Sequence, residues 1–172
     1  TPEHAEALEK AFLGGVNLID TSTNYTDGLS ECCIGNVLTH HPREEIIIVS
    51  KVGYVQGQAL ALAQQREQRS SAFPEMVKYA DGCWHCIHPE FLADQIGRSL
   101  GRLRVEKVDV YLLHNPEYFL MDAAKRRKEA TLEALRDEFY DRIRRAFSHL
   151  EAEVQRGRIG FYGVSSNTLA LP

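Results

Sequence analysis

Residues 46–51 read Ile-Ile-Ile-Val-Ser-Lys, an uninterrupted apolar run that ends in two polar residues. Four successive β-branched side chains are typical of a strand that is covered on both faces, as in the parallel sheets of α/β proteins. Lys51 then stands at the carboxyl end of this strand. The stretch therefore predicts a buried parallel sheet with a cationic side chain at its carboxyl edge.

Three further strands are predicted around this one, and each is followed by a polar residue. They are Val16–Ile19, Val108–Leu113 and Ile159–Val164, followed by Asp20, His114 and Ser165. Apolar residues at helical spacing predict helices over Thr1–Leu13, Ser30–Leu38, the segment from His88 to Leu103, and Asp122–Arg156. Alternating helices and strands favour a parallel sheet built from right-handed crossovers.

Two parallel architectures fit this order, an open doubly wound sheet and a (β/α)8 barrel. The phosphate-binding pattern G-x-G-x-x-G of the open type is absent after every predicted strand. In a barrel, the polar strand ends converge on one mouth, where catalytic groups lie. We therefore predict an α/β fold, a (β/α)8 TIM barrel of which this chain holds about four βα units. Because four strands are half of what closure needs, the barrel requires sequence on both sides.

The composition excludes several classes of protein. The 172 residues are 44% hydrophobic and 26% charged, with a formal net charge of -4, which disfavours disorder and coiled coil. No apolar run approaches the ~18–20 residues that cross a bilayer, and mild acidity gives no attraction for nucleic acid. We expect neither membrane nor nucleic-acid partners. Four cysteines, with Cys32 and Cys33 adjacent, make a poor disulfide framework, so a reduced, cytoplasmic setting is expected.

Five motifs together resemble the aldo-keto reductase family, in that family's order. They are GVNLIDTSTNY (15–25), LSECCIGNVL (29–38), IIIVSK (46–51), VDVYLLHNP (108–116) and GRIGFYGVSS (157–166). The resemblance covers Thr1 to Leu169 apart from two segments that look like insertions. We therefore expect one partial barrel domain over residues 1–172, with insertions at about 53–86 and 120–135.

The resemblance implies a (β/α)8 barrel that transfers a hydride between NADP(H), or alternatively NAD(H), and a carbonyl or alcohol. The substrate would be a small aldehyde, ketone or sugar. The family's first strand and its last three, which carry most of the contacts to the adenosine and the 2′-phosphate, fall outside this chain.

The family's catalytic tetrad carries over to Asp20, Tyr25, Lys51 and His114. Hydride delivery builds negative charge on a carbonyl oxygen, so an acid must donate a proton there. A free tyrosine is a weak acid, with a pKa of about 10, but a neighbouring ammonium favours its phenolate. The resemblance thus implies that Tyr25 is the general acid or base, that Asp20 holds Lys51 beside it, and that His114 orients the carbonyl.

Four residues are expected to bind the cofactor: Asp20, Ser165, Ser166 and Asn167. Ser165 matches the position that holds the nicotinamide carboxamide. The next residue is usually Asn in the family, but here it is Ser166, with Asn167 one position later. Thr26 likewise stands where the family usually has Gly, and Gly28 follows two residues later.

Each of the four tetrad residues also has an ordinary structural explanation. Asp20 alone would be a strand cap and Tyr25 a surface aromatic. Lys51 alone would extend to solvent, and His114 would form a turn. Their coincidence at successive strand ends favours catalysis. The alternative function is a non-catalytic NADP(H)-binding barrel that acts as a regulatory or sensing subunit. Such a protein needs the carboxamide site but not Tyr25.

The run Cys83-Trp84-His85-Cys86-Ile87-His88 holds four potential zinc ligands. A metal-stabilised interaction module is therefore a third possibility. Against it, no second C-x-x-C exists and His88 begins a helix, so we expect reduced, metal-free cysteines. The surrounding segment, Gly53–Cys86, is too apolar for a free linker. We expect it to form a partly helical lid over the cleft that shapes substrate choice, with Trp84 and His85 lining the pocket.

Overall fold

Four parallel strands form the centre of the computed structural model, which describes residues 1–168. They are β1 (Leu18–Asp20), β2 (Ile47–Val52), β6 (Val108–His114) and β7 (Ile159–Ser165), in the spatial order β1-β2-β6-β7. Each strand is preceded along the chain by a helix: α1 (Pro2–Leu13), α2 (Leu29–Leu38), α4 (Pro89–Leu103) and α6 (Leu132–Gln155). The predicted alternation and parallel pairing are confirmed. Residues 169–172, part of the expected domain, lie outside the described residues.

The register of this sheet brings the polar strand ends to one edge. Asp20 pairs with Val49 across β1 and β2, Lys51 with Leu112 across β2 and β6, and His114 with Ser165 across β6 and β7. In a parallel sheet all carboxyl ends lie on the same side. Asp20, Lys51, His114 and Ser165 therefore stand along one edge, as the sequence predicts.

Helix α4 shows how local sequence sets an element and its packing. The His88 side chain accepts a hydrogen bond from the backbone N–H of Glu90, and Pro89 occupies the first helical position. One face of the helix is fully or almost fully buried, through Phe91, Leu92, Ile96 and Leu103. This face packs onto the same core as Ile48, Val52, Tyr111 and Leu113 of the sheet.

The predicted helix over Asp122–Arg156 is divided in two. A separate helix, α5, runs over Tyr118–Arg126, and α6 begins only at Leu132. Between them the N–H of Ala130 bonds to the carbonyl of Arg127, closing a turn, and the Thr131 hydroxyl accepts from the N–H of Ala134 as a new N-cap. None of the helices in the described part of the chain has both the length and the apolar character of a membrane span.

The segment after Lys51 contains a second sheet that the sequence did not predict. Strands β3 (Tyr54–Val55), β5 (Cys83–His85) and β4 (Val77–Ala80) pair antiparallel in that order, and α3 (Gly57–Gln68) is the expected helix. Buried side chains of this segment belong to the main core: Val55, Ala63, Phe73 and Cys86. The segment is thus integrated into the fold rather than resting on its surface.

Helices α2 and α4 approach each other closely at Gly35. A Cβ at this position would collide with the backbone of Arg102 and Leu103. The same two helices are joined by a buried ion pair, in which the Arg102 Nε donates to Glu31 over 2.7 Å. Ser50 of β2 also donates to the Glu31 carboxylate, over 2.6 Å, which ties this contact to the sheet.

The close approach predicts opposite effects for two helical glycines. We expect Gly35→Ala to lower the free energy of unfolding by about 1–3 kcal/mol, because backbone atoms must separate to admit the methyl group. Gly101→Ala, where a Cβ would meet nothing within 4 Å, should be neutral or should stabilise by roughly 0.5–1 kcal/mol. Urea denaturation of both variants measures the difference, and equal effects would contradict the packing described.

Candidate active site

The Lys51 ammonium is the centre of the candidate site. Its side chain is only 7% exposed, and its Nζ donates to the Asp20 carboxylate. It also donates to the Thr21 carbonyl over 2.9 Å and lies 3.5 Å from the Tyr25 hydroxyl oxygen. The geometry expected of Asp20, Tyr25 and Lys51 is therefore present, with one buried cation contacting both other groups.

Tyr25 is held by an unusual loop. It is 40% exposed and is followed by three residues with left-handed backbone, Thr26 (φ 48°), Asp27 (φ 56°) and Gly28 (φ 84°). This conformation disfavours residues with a Cβ, above all β-branched ones, so other contacts must hold it. The Asp27 carboxylate accepts from the N–H of Gln58 over 3.0 Å, at the start of α3. The loop is therefore fastened to the segment that follows Lys51.

His114 closes the other side of the cleft at the end of β6. Its ring lies edge-on to the Tyr25 ring, with the centroids 6.1 Å apart, and its Nδ1 is 3.1 Å from the Ser22 hydroxyl. Burial and then the positive charge of Lys51 lower the pKa of His114 to about 4, although Asp20 opposes the shift. The imidazole is therefore neutral at neutral pH.

Two residues that the sequence analysis did not assign as catalytic support His114 from the second sheet. The Tyr54 ring packs edge-on against it, at 4.8 Å between centroids, and the Tyr54 hydroxyl accepts from Asn115 over 2.7 Å. His85, only 2% exposed, donates from Nε2 to the His114 carbonyl over 2.7 Å. Burial lowers the pKa of His85 to about 4. No local pattern signals these roles, because they depend on the packing of the two sheets.

The expected cofactor residues lie beside the tetrad, but their polar groups differ in whether other residues already hydrogen-bond them. Ser165 is half-buried and opposite His114 in the register of β6 and β7. The Ser166 hydroxyl donates to the Thr168 carbonyl over 2.8 Å in a local turn, and the backbone N–H of Asn167 donates to Glu117 over 3.3 Å. The Ser166 hydroxyl is thus engaged locally, whereas the Asn167 side chain is exposed.

Glu117 is a further residue that the sequence analysis missed. It is 5% exposed, and its Oε2 is a buried oxygen without a hydrogen-bond partner in the structure. A primary carboxamide offers two N–H donors and one acceptor. The Glu117 oxygen can accept from one of these N–H groups, and the Ser165 hydroxyl can donate to the carboxamide oxygen. The residues present therefore fit a nicotinamide carboxamide.

Three of the cysteine and histidine side chains of residues 83–88 make hydrogen bonds that hold the fold together. Cys86 is buried, its Sγ donates to the Pro74 carbonyl, and burial raises the pKa of its thiol to about 12. His85 contacts the His114 backbone and His88 caps α4. Within residues 1–168 no group of three or more His, Cys, Asp or Glu side chains is placed to hold a metal ion. Trp84 packs against the Lys78 ammonium, and the buried His85 does not line an open pocket.

Comparison with known proteins agrees with this arrangement. A family model described as the aldo/keto reductase family matches residues 1–171. An NADH-specific methylglyoxal reductase of Escherichia coli (strain K12) is 30% identical over 109 residues, covering 63% of this chain and 30% of that protein. A D-threo-aldose 1-dehydrogenase of a Pseudomonas species is 28% identical over 140 residues, covering 76% of this chain and 39% of that protein.

A solved structure supports the fold. An aldo-keto reductase from Bacillus halodurans in its holo form aligns with a TM-score of 0.64 at 23% identity, covering 95% of this chain and 41% of that chain. The (β/α)8 barrel class is confirmed, with about four βα units in this chain. The chain spans 30% and 39% of the length of the two curated relatives.

The lowered pKa values of His85 and His114 predict a pH-dependent stability. Between pH about 6.5 and pH about 4 the two histidines are protonated in the unfolded chain but neutral in the folded protein. The free energy of unfolding should therefore fall as the pH falls through this window. His85→Gln keeps an N–H donor for the His114 carbonyl but removes one titrating group. We therefore expect a shallower pH dependence in this variant.

Urea denaturation across the window measures the effect. His85 faces the rings of Tyr54 and Tyr118 and the backbone of His114, and in the described part of the chain no carboxylate contributes to the shift of its pKa. The matched control is His4→Gln, at an exposed position of α1. Parallel curves for wild type and His85→Gln would contradict the assignment.

Proposed function

Because the chain belongs to the aldo/keto reductase family, we propose that it supplies the proton-transfer side of an oxidoreductase active site. The enzyme would move a hydride between a nicotinamide cofactor and a small carbonyl compound or alcohol. The observation that carries this proposal is the buried Lys51 ammonium, which contacts the Asp20 carboxylate and the Tyr25 hydroxyl. A buried cation beside a partly exposed hydroxyl suits proton donation, because the cation stabilises the phenolate that is left.

Tyr25 acts as the general acid in reduction. Its hydroxyl donates a proton to the substrate oxygen as negative charge builds there, and the Lys51 ammonium stabilises the phenolate that remains. Asp20 holds the ammonium in place and balances its charge. In oxidation the same groups act in reverse, with the Tyr25 phenolate accepting the proton. The neutral His114 ring hydrogen-bonds the substrate oxygen and orients it.

The cofactor, when bound, supplies or accepts the hydride. We propose that Ser165, Glu117 and Asn167 bind its carboxamide, with Ser166 beside them and Asp20 at the mouth. The unpartnered Glu117 oxygen supports this set. The resemblance favours NADP(H), and NAD(H) is the alternative, since one relative is described as NADH-specific.

The substrate is proposed to be a small aldehyde, ketone or sugar. The relatives' names point to methylglyoxal and to an aldose as first candidates. The inserted segment 53–86 supports a lid function, because its Tyr54 reaches the His114 ring. We keep the interpretation of one partial barrel domain over residues 1–172, with insertions at about 53–86 and 120–135. The free thiols favour a reducing compartment such as the cytoplasm.

Tyr25→Phe is the central test of this mechanism. We expect turnover of methylglyoxal with NADPH or NADH to fall by at least about 100-fold, because the proton donor is lost. Cofactor affinity should remain close to wild type, because the only hydrogen bond described for the lost hydroxyl joins it to Lys51. Loss of reduced-nicotinamide absorbance measures turnover, and its fluorescence measures binding.

The control for this experiment is Tyr140→Phe, at a tyrosine that is 53% exposed on α6. Turnover that survives Tyr25→Phe would mean that another acid acts. A wild-type protein that binds reduced nicotinamide but transfers no hydride would favour the regulatory or sensing barrel instead.

The two serines at the end of β7 should differ in their contribution to cofactor binding. We expect Ser165→Ala to raise the cofactor Kd by about three- to tenfold, the effect of one hydrogen bond. Ser166→Ala should change it less, because the Ser166 hydroxyl is engaged with the Thr168 backbone. Nicotinamide fluorescence titration of both variants measures this. A larger effect at Ser166 would reverse the assignment.

A further inference from the structure

The loop that carries Tyr25 is joined to the start of α3 by hydrogen bonds on both sides of that residue. On one side, the Asn24 Nδ2 donates to the Gln56 Oε1 over 3.2 Å. On the other, the backbone N–H of Gln58 donates to both oxygens of the Asp27 carboxylate, over 3.0 Å and 3.3 Å. The two glutamines flank the first residue of α3. The start of this helix therefore holds the loop before and after Tyr25.

Asp27 supplies α3 with a cap that the helix's own sequence lacks. An N-cap side chain accepts a hydrogen bond from the N–H of the second or third helical residue. Gln56 occupies the N-cap position of α3, but its side chain makes no such bond. Gln58 is the second residue of the helix, and its N–H is bonded to Asp27 instead. A carboxylate is also the favourable charge at a helix N-terminus. Asp27 therefore caps α3 from a different part of the chain.

Gly57 leaves the space that this cap occupies. It is the first residue of α3 and has a φ of 50°. A Cβ at this position would lie 2.2 Å from the Asp27 Oδ1 and 2.7 Å from its Oδ2, so any larger residue collides with the carboxylate. Gly82, between β4 and β5, also has a left-handed backbone, with a φ of 72°, but a Cβ there would meet nothing within 4 Å. The two glycines therefore separate backbone strain from displacement of Asp27.

Thr26 explains why the loop needs an external contact. It lies between Tyr25 and Asp27 with a φ of 48°, a conformation that is rare for β-branched residues. Its hydroxyl donates to the Tyr25 carbonyl over 2.7 Å, a bond within the loop that does not fasten it to the rest of the protein. If the Asp27 contact were lost, the strained backbone could relax. The Tyr25 hydroxyl would then leave its place 3.5 Å from the Lys51 Nζ.

We infer that Asp27 is a positioning residue for proton transfer, because it caps α3 and thereby holds the Tyr25 hydroxyl beside Lys51. It acts through the backbone of the loop and not on the substrate. The inserted segment 53–86 then determines where the proposed proton donor stands. The effect on turnover rests on the proposed function, whereas the cap and its hold on Tyr25 depend only on the geometry.

A double-mutant cycle tests the cap without any activity. Asp27→Ala and Gly57→Ala should each lower the urea midpoint of unfolding. Together they should lower it by less than the sum, because Asp27→Ala removes the carboxylate with which the new methyl group collides. Gly57→Ala should also cost more than its matched control, Gly82→Ala, which introduces the backbone strain alone. Additive effects, or equal effects of the two glycine substitutions, would overturn the cap.

Ring resonances of ¹³C-labelled tyrosine test the hold on Tyr25, whose signal is the one lost in Tyr25→Phe. We expect this signal to shift or broaden in Asp27→Ala and in Gly57→Ala, and Gly57→Ala gives the same readout should Asp27→Ala fail to fold. In Asp27→Asn, which keeps an acceptor oxygen for the Gln58 N–H, the signal should stay near its wild-type position. Gly82→Ala should leave it unchanged. A Tyr25 signal that neither Asp27→Ala nor Gly57→Ala alters would overturn the inference.

Turnover of methylglyoxal with NADPH or NADH is the third readout. Asp27→Ala and Gly57→Ala should lower kcat by about tenfold or more, the effect of a misplaced reacting group, while the cofactor Kd changes far less. Asp27→Asn should recover most of the lost kcat. An unchanged kcat, or equal losses of kcat and cofactor affinity, would overturn the positioning role. A wild type without turnover would instead count against the proposed function, while the cycle and the NMR signal would still decide the hold on Tyr25.

Discussion

Burial of the Lys51 ammonium is the constraint on which the rest of the site depends. Removing an ammonium from water costs on the order of several kcal/mol unless a counter-ion and hydrogen-bond acceptors replace the solvent. Here the Asp20 carboxylate, the Thr21 carbonyl and the Tyr25 hydroxyl take that role. All three come from the first strand and the loop after it. The parallel register of β1 and β2 is therefore what makes the buried cation tolerable.

The Tyr25 loop satisfies this constraint with backbone that is unfavourable on its own. Left-handed Thr26 and Asp27 cost about 1–2 kcal/mol each, so tertiary contacts must hold them. The hydrogen bond from the Gln58 N–H, at the start of α3, to the Asp27 carboxylate is one such contact, and the Asn24–Gln56 side-chain bond is another. The segment after Lys51 thereby stabilises the loop that carries Tyr25. Segment 53–86 therefore supports the loop that carries the proposed proton donor, in addition to the lid role proposed for it.

The sequence predicts the parallel sheet and the alignment of Asp20, Lys51 and His114, because strand ends are readable from apolar runs. It does not predict the β3–β5–β4 sheet, whose strands of two to four residues are too short to show a period. The break before Leu132 is hidden because residues 125–131 contain no glycine or proline to mark it. Asp27, His85 and Glu117 are missed for a different reason. Their roles come from contacts between residues far apart in sequence, such as Asp27 with Gln58.

The electrostatics of the cleft fit the two roles that we propose for His114 and Tyr25 at the substrate oxygen. His114 and Tyr25 face each other across about 6.1 Å between ring centroids, so one bound oxygen can contact both side chains. Burial and the Lys51 charge lower the pKa of His114 to about 4, so the ring is neutral at neutral pH, which fits the orienting role proposed for it. The Lys51 Nζ also lies 3.5 Å from the Tyr25 hydroxyl oxygen, so the cation stands beside the group that we propose as the proton donor. One buried cation therefore bears on both proposed roles, the orienting role of His114 and the proton transfer of Tyr25.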